Sequence, residues 1–226
     1  MKRKKIAVIG LNTFGVAVMR ALTKLRHERV GFDINRVRVQ ALAAELHDVV
    51  EADATQPEAL QAAGIEQFDG AVVAFGNNLA ASVIVTMNLK QLGVPFVAAK
   101  ARSETEAEAL KRVGADLIVF PERDSARHLA KMMMFSGFID ADSLADGFSL
   151  VKVRPLKDFV GKLVKDVPLR SRFSLNILLI ENADGERIDP DPAYLLDAGD
   201  TLYLAGKDAS LREYSRELDR ENRERL

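Results

Sequence analysis

The chain has 226 residues, 48% hydrophobic and 29% charged, a composition that supports one large or two small globular domains with a sizeable core. A formal net charge of −1 with mixed signs gives no basic field for nucleic acid or an anionic membrane surface, and the lack of cysteine excludes disulfides, thiolate catalysis and Cys-ligated metal. Behind the basic start Met1-Lys2-Arg3-Lys4-Lys5 the apolar stretch is broken by glycines, Asn12 and Thr13, so neither a membrane span nor an export signal is expected.

The first predicted element is a short apolar run, Ile6 to Ile9, followed by Val18, Leu22 and Leu25 at helical spacing. The turn between them, Gly10-Leu11-Asn12-Thr13-Phe14-Gly15, keeps the outer glycines of a G-x-G-x-x-G pattern and puts asparagine in the middle position. In that pattern the first glycine makes the tight turn, the second lets backbone approach a pyrophosphate, and the third lets helix pack on strand. A side chain at position 12 therefore crowds the place where phosphate meets the N–H groups opening the helix. Asp33 closes the next apolar run, eighteen residues past Gly15, where a carboxylate accepts hydrogen bonds from ribose hydroxyls and repels a 2′-phosphate. Adenosine or NAD fits that arrangement better than NADP, and a scaffold that has lost its ligand is the alternative.

Strands are expected near 5–9, 29–33, 48–52, 70–75, 95–99 and 116–120 with helices between, an alternation that implies a Rossmann-like, doubly wound parallel sheet of α/β class. Asn78 to Leu92 reads as a helix apolar nearly all round, stopped by Gly93 and Pro95. After Pro121 a long helix is predicted from Glu122 to Phe138. Ala126, Leu129, Ala130, Met133 and Met134 share one face, and Met132, Phe135 and Phe138 extend the apolar surface onto another. That second side needs a partner, either the following domain or another copy, and the methionines at 132–134 read as core filler. From about 140 a smaller α+β unit follows, with strands at Phe148–Val153, Leu175–Ile180 and Thr201–Leu204 and a final helix near 208–219. Asn182 to Gly185 reads as a turn. The domains are placed at 1–138 and 139–226.

Catalytic groups are scarce. His27, His47 and His128 are the histidines, none has a partner at catalytic spacing, and the second unit as placed contains none, so the nucleotide is expected to act as a signal and the protein not as an enzyme. An NAD-dependent oxidoreductase is the alternative.

At the level of motifs the chain resembles the RCK (TrkA-N plus TrkA-C) regulatory subunits of bacterial Trk and Ktr potassium uptake systems over nearly its whole length. The residues that carry this are Gly10-x-x-x-Phe14-Gly15, Asp33-Ile34-Asn35, Asp53-Ala54-Thr55, Val73-Ala74-Phe75-Gly76, Ala99-Lys100-Ala101, Gly114-Ala115-Asp116 and Pro121-Glu122-Arg123-Asp124. The Leu163–Leu169 segment, Phe173 to Ile180 and Ala198 to Leu204 resemble the RCK_C module. The resemblance implies a cytoplasmic subunit that binds ATP, ADP or NAD, pairs as a homodimer, assembles into a ring, typically of eight, and gates a membrane potassium channel or transporter to which it is peripherally attached. RCK-type sensors on other membrane transporters are a further alternative.

Carried over by position, Gly10 and Gly15 would hold the phosphate turn with Asn12, Thr13 and Phe14 between them, Asp33 the ribose, Asp53 and Ala54 the adenine side, and Lys100 the neighbourhood of the phosphates. Ile34, Ala74, Phe75 and Gly76 belong to the same implied set. Glu122 matches a glutamate that helps place Mg or Ca near a terminal phosphate, or else answers the helix dipole. Arg170, Arg172 and Asn176 are candidates for a second ligand, cyclic di-AMP, in the C-terminal module, or else ordinary strand-edge side chains. Members of the family usually have glycine at position 12 and often arginine at 13. With Asn12 and Thr13 here, a charge-assisted phosphate contact of roughly 1.5–3 kcal/mol is missing, and ADP, AMP, NAD or no nucleotide stand beside ATP as readings.

Overall fold

In a computed structural model, which describes residues 3–134 and 137–223, contacts divide the chain into Met1–Arg123 and Asp124–Leu226. The division runs through the long helix instead of after residue 138.

The first unit alternates strand and helix: β1 Lys5–Ile9, α1 Thr13–Lys24, β2 Glu28–Asp33, α2 Arg36–Leu46, β3 Val49–Glu51, α3 Pro57–Ala62, β4 Gly70–Val73, α4 Leu79–Gln91, β5 Val97–Lys100, α5 Glu104–Arg112 and β6 Leu117–Val119. All six strands are parallel in the order β3-β2-β1-β4-β5-β6. Burial on both faces explains why the inner strands β1, β4 and β5 read as continuous apolar runs. Ala7, Ile9, Phe32, Val73 and Ala99 face one core with Leu60 and Leu89, while Val8 packs with Leu11, Met19 and Leu46 on the other. Helix α4 starts at its Asn78 cap and buries Val85 and Leu89, leaving Ile84 and Met87 40% exposed.

Two glycines set the first turn. Gly10 has φ +96, a conformation that costs L residues strain, and a Cβ on Gly15 would stand 1.9 Å from the Gly10 carbonyl oxygen. Only glycine lets α1 lie that close to the end of β1.

Helix α6, Pro121–Met134, begins after β6. It ends before Phe138, which is buried and opens a strand, β7 Phe138–Ala145, not expected from the sequence. Among the described residues that strand is an edge, pairing only β8 (Phe148–Val153) with irregular register, and its Asp140, Asp142 and Ser143 mask the β signal that burial would have written. Leu129 is 60% and Met133 80% exposed, so Met133 is not core filler, whereas Met132 packs on the second core. The side chain of Met134 and residue Phe135 lie outside the described residues.

The second unit continues with α7 Leu169–Phe173, β9 Asn176–Glu181, β10 Arg187–Ile188, β11 Thr201–Lys207 and α8 Asp208–Arg223. Its antiparallel sheet runs β10-β9-β11-β8-β7, and the turn expected at Asn182 to Gly185 joins β9 to β10. Tyr214 of α8 sits at the centre of its core, its ring edge-on to Phe173 at 5.2 Å. The hydroxyl donates to Arg154 O and accepts from Leu156 N–H, both at 3.2 Å.

Candidate functional site

Strand order 3-2-1-4-5-6 places the reversal of winding between β1 and β4, and in such sheets the crevice opens there, beyond the carboxyl ends of the strands. The residues singled out from the first unit gather along that line. Gly10 follows β1 and donates its N–H to Phe32 O at 2.7 Å, Asp33 ends β2, Asp53 and Ala54 follow β3, Ala74 to Gly76 follow β4, and Lys100 ends β5.

A cavity of about 300 Å³ lies in this crevice. Of the residues singled out, Asp33, Ile34, Asp53, Ala54 and Phe75 line it, joined by Ile9, Phe32, Ala52, Thr55, Asn78 and Ala81, which the motifs did not mark. The walls are mostly apolar, suited to a flat base, with the Asp33 carboxylate as the charged group at the strand end. That carboxylate is already engaged. Oδ2 accepts from Leu11 N–H and from Arg38 Nη1, each at 2.7 Å, and Oδ1 accepts from Asn35 N–H at 2.9 Å. A carboxylate offers about four acceptor positions, so one is left for a ribose hydroxyl and a second opens if Arg38, 44% exposed, swings away. Arg38 escaped the sequence reading because nothing local ties the first turn of α2 to the end of β2.

Asp53 turns inward on its own loop, its Oδ1 accepting from Thr55 N–H at 3.0 Å and Thr55 Oγ at 2.7 Å. It caps the turn, while Ala54, buried, presents its methyl to the cavity.

The phosphate side of the site differs from what a diphosphate needs. Asn12 is the N-cap of α1 with φ −75 and ψ −175, an ordinary extended conformation. Its Oδ1 accepts from Phe14 N–H at 3.0 Å and Gly15 N–H at 3.2 Å, its carbonyl accepts from Val16 N–H at 2.9 Å, and its Nδ2 donates to Ala74 O. Two of the N–H groups opening the helix, those of Phe14 and Gly15, are therefore answered by the protein itself. Thr13 is exposed beside them, and Phe14 lies with its ring 5.8 Å from Lys100 Nζ. Gly76 leaves open space around it. The base and ribose half of a nucleotide fits the residues present; the diphosphate half does not fit them as they stand.

Lys100 is buried, 7% exposed, and its charge is met by Glu122 Oε1 at 2.5 Å. The hydrogen bond from Lys100 holds the Glu122 carboxyl below the usual glutamate range. Neither residue lines the cavity, and among the described residues no group of three or more His, Cys, Asp or Glu is arranged to hold a metal ion. Of the histidines, His27 accepts from Lys4 N–H, His47 ends α2, and His128 stands between Asp140 and Asp142 in the second unit. None lines the cavity.

In the second unit Arg172 is committed to Asp158 at 3.0 Å and Glu217 at 3.4 Å and lies over the Phe173 ring. Arg170 is exposed on α7 and Asn176 exposed at the start of β9. No helix among the described residues is long and apolar enough to cross a membrane.

Comparison with known proteins gives a consistent assignment. The TrkA-N domain matches residues 6–121 and the TrkA-C domain residues 148–219. The Ktr system potassium uptake protein A of Bacillus subtilis (strain 168) is 30% identical over 217 residues, covering 96% of this chain and 98% of that protein. Among solved structures, the GsuK RCK domain superposes with a TM-score of 0.64 at 17% identity over 93% of this chain and 46% of that one. The GsuK channel bound to NAD gives 0.63 at 18% identity, over 93% and 38%. The chain thus spans less than half the length of the GsuK chains, and at such identity the likeness is one of fold.

Proposed function

Because this chain belongs to the family of Ktr and Trk potassium uptake proteins built from a TrkA-N and a TrkA-C domain, we propose that it is the regulatory, gating subunit of a membrane potassium transporter. It acts at the cytoplasmic face as a non-enzymatic sensor, paired and assembled into a ring against the transporter. The observation that carries its input is the cavity at the β1/β4 reversal with Asp33 at its end, where the adenosine part of an adenine-containing ligand docks. The fold neighbour with NAD bound supports that ligand class. A divalent cation at Glu122 would share a carboxylate whose Oε1 already meets Lys100, and cyclic di-AMP in the second unit would rest on Arg170 and Asn176, since Arg172 is already paired.

The output is assembly. Ala126, Leu129, Ala130 and Met133 form one exposed apolar stripe on α6, the arrangement a second copy of the helix covers. A ligand gates such a ring only if it binds one ring shape better than another, since equal affinity shifts no equilibrium.

The test is sedimentation of the wild type and of Met133→Asp, followed by potassium-limited growth of cells carrying the cognate transporter. The wild type is expected as a dimer or larger, the variant as a folded monomer that no longer supports uptake. A wild type that stays monomeric at micromolar concentration and leaves uptake unchanged when deleted would overturn the proposal.

A further inference from the structure

The asparagine at position 12 does more than crowd the turn. Its carboxamide is bonded at both ends: oxygen toward the N–H groups of Phe14 and Gly15, nitrogen toward the carbonyl of Ala74. The orientation is unambiguous, because a flipped amide would set donor against donor and acceptor against acceptor. The cap is unstrained, with φ −75. The buried cation at the neighbouring strand end, Lys100, is neutralised by Glu122, and Thr13 offers a hydroxyl with no charge.

We propose that Asn12 is a specificity-determining residue that stands in for phosphate, so that the crevice takes a purine nucleoside without a 5′-diphosphate and discriminates against ADP, ATP and NAD. This rests on reading the crevice as the ligand site. The cavity beneath the turn, with Asp33 for a ribose hydroxyl and Ile34, Ala54 and Phe75 around a base, is open to a nucleoside while every bond of Asn12 stays in place. A diphosphate gains the helix N-terminus only after the carboxamide has left it, which forfeits the cap and the bond to Ala74, a loss worth on the order of tenfold in affinity.

The experiment measures adenosine, ADP and NAD binding by calorimetry on the full chain as wild type, Asn12→Gly and Asn12→Ala. In the wild type adenosine is expected to bind at least as tightly as ADP or NAD. In Asn12→Gly the affinity for ADP rises about tenfold or more while that for adenosine changes by less than about threefold. Asn12→Ala, which keeps a side chain but loses the carboxamide, separates bond competition from bulk and serves if the glycine variant folds poorly. A wild type that binds ADP more tightly than adenosine, with the same ratio in both variants, overturns the assignment of Asn12 and leaves the ligand site standing. Failure of all three proteins to bind any of the three compounds overturns the ligand site and this inference together.

Discussion

Replacing Asp33 by alanine removes an acceptor shared by three donors, and their surroundings set the cost. Leu11 is 2% exposed, so its N–H loses a buried partner when Asp33 Oδ2, 2.7 Å away, is removed. A stranded buried donor costs about 1–3 kcal/mol. Asn35 is exposed and its N–H rehydrates. Arg38 is 44% exposed, so its ion pair contributes at most about 1 kcal/mol. Asp33→Ala should thus destabilise the first unit by about 2–3 kcal/mol, a fall of roughly 5–15 °C in melting temperature. Thermal melts give the magnitude, and amide hydrogen exchange locates it: the Leu11 amide should lose protection while β5 keeps its own. Asp33→Asn retains one acceptor oxygen and should lose less, which makes it the better variant for ligand binding. A melting temperature within about a degree of wild type, or unchanged protection at Leu11, would refute the claim that this carboxylate holds the turn.

Glu122→Gln should lower stability by about 1 kcal/mol at neutral pH, because Lys100 is buried and Glu122 largely exposed. The Glu122 carboxyl is depressed below 4.5, so the pair contributes fully above that value and is lost as pH falls through the folded-state pKa; denaturation across pH should show wild type and variant converging in acid. Tyr214→Phe strands the buried Leu156 N–H and should cost about 1–3 kcal/mol, read by urea denaturation. Burial pushes the Tyr214 phenol well above 10, so its stabilisation is whole below that value and is lost as pH rises beyond it. Phenolate absorbance should therefore step together with alkaline unfolding, and the step should shrink in Tyr214→Phe.

Much of the architecture was legible because its causes are local. The apolar runs at 5–9 and 70–75, the Gly93 and Pro95 stop and the alternation of strand with helix all follow from neighbours along the chain, and β1, β4 and α4 lie where these signals put them. β7 was missed because an edge strand is half solvated and Asp140, Asp142 and Ser143 carry no burial pattern. The exposure of Met133 was likewise unreadable, since methionine writes the same letter in a core and at a face awaiting a second copy.

The candidate site divides in the same way. The positions of Gly10 and Gly15 in the turn and of Asp33 at the end of β2 could be read from the sequence alone, since turn geometry and chain spacing demand those residue types wherever a strand feeds a helix in this fold. What the tertiary structure decided is which partner each polar group meets: Asn12 with Ala74 across 62 residues, Asp33 with Leu11 across 22, Lys100 with Glu122 across 22. Those pairings arise because parallel strands bring distant loops to one edge, where a hydrogen bond is set by convergence in space and leaves no period or motif along the chain.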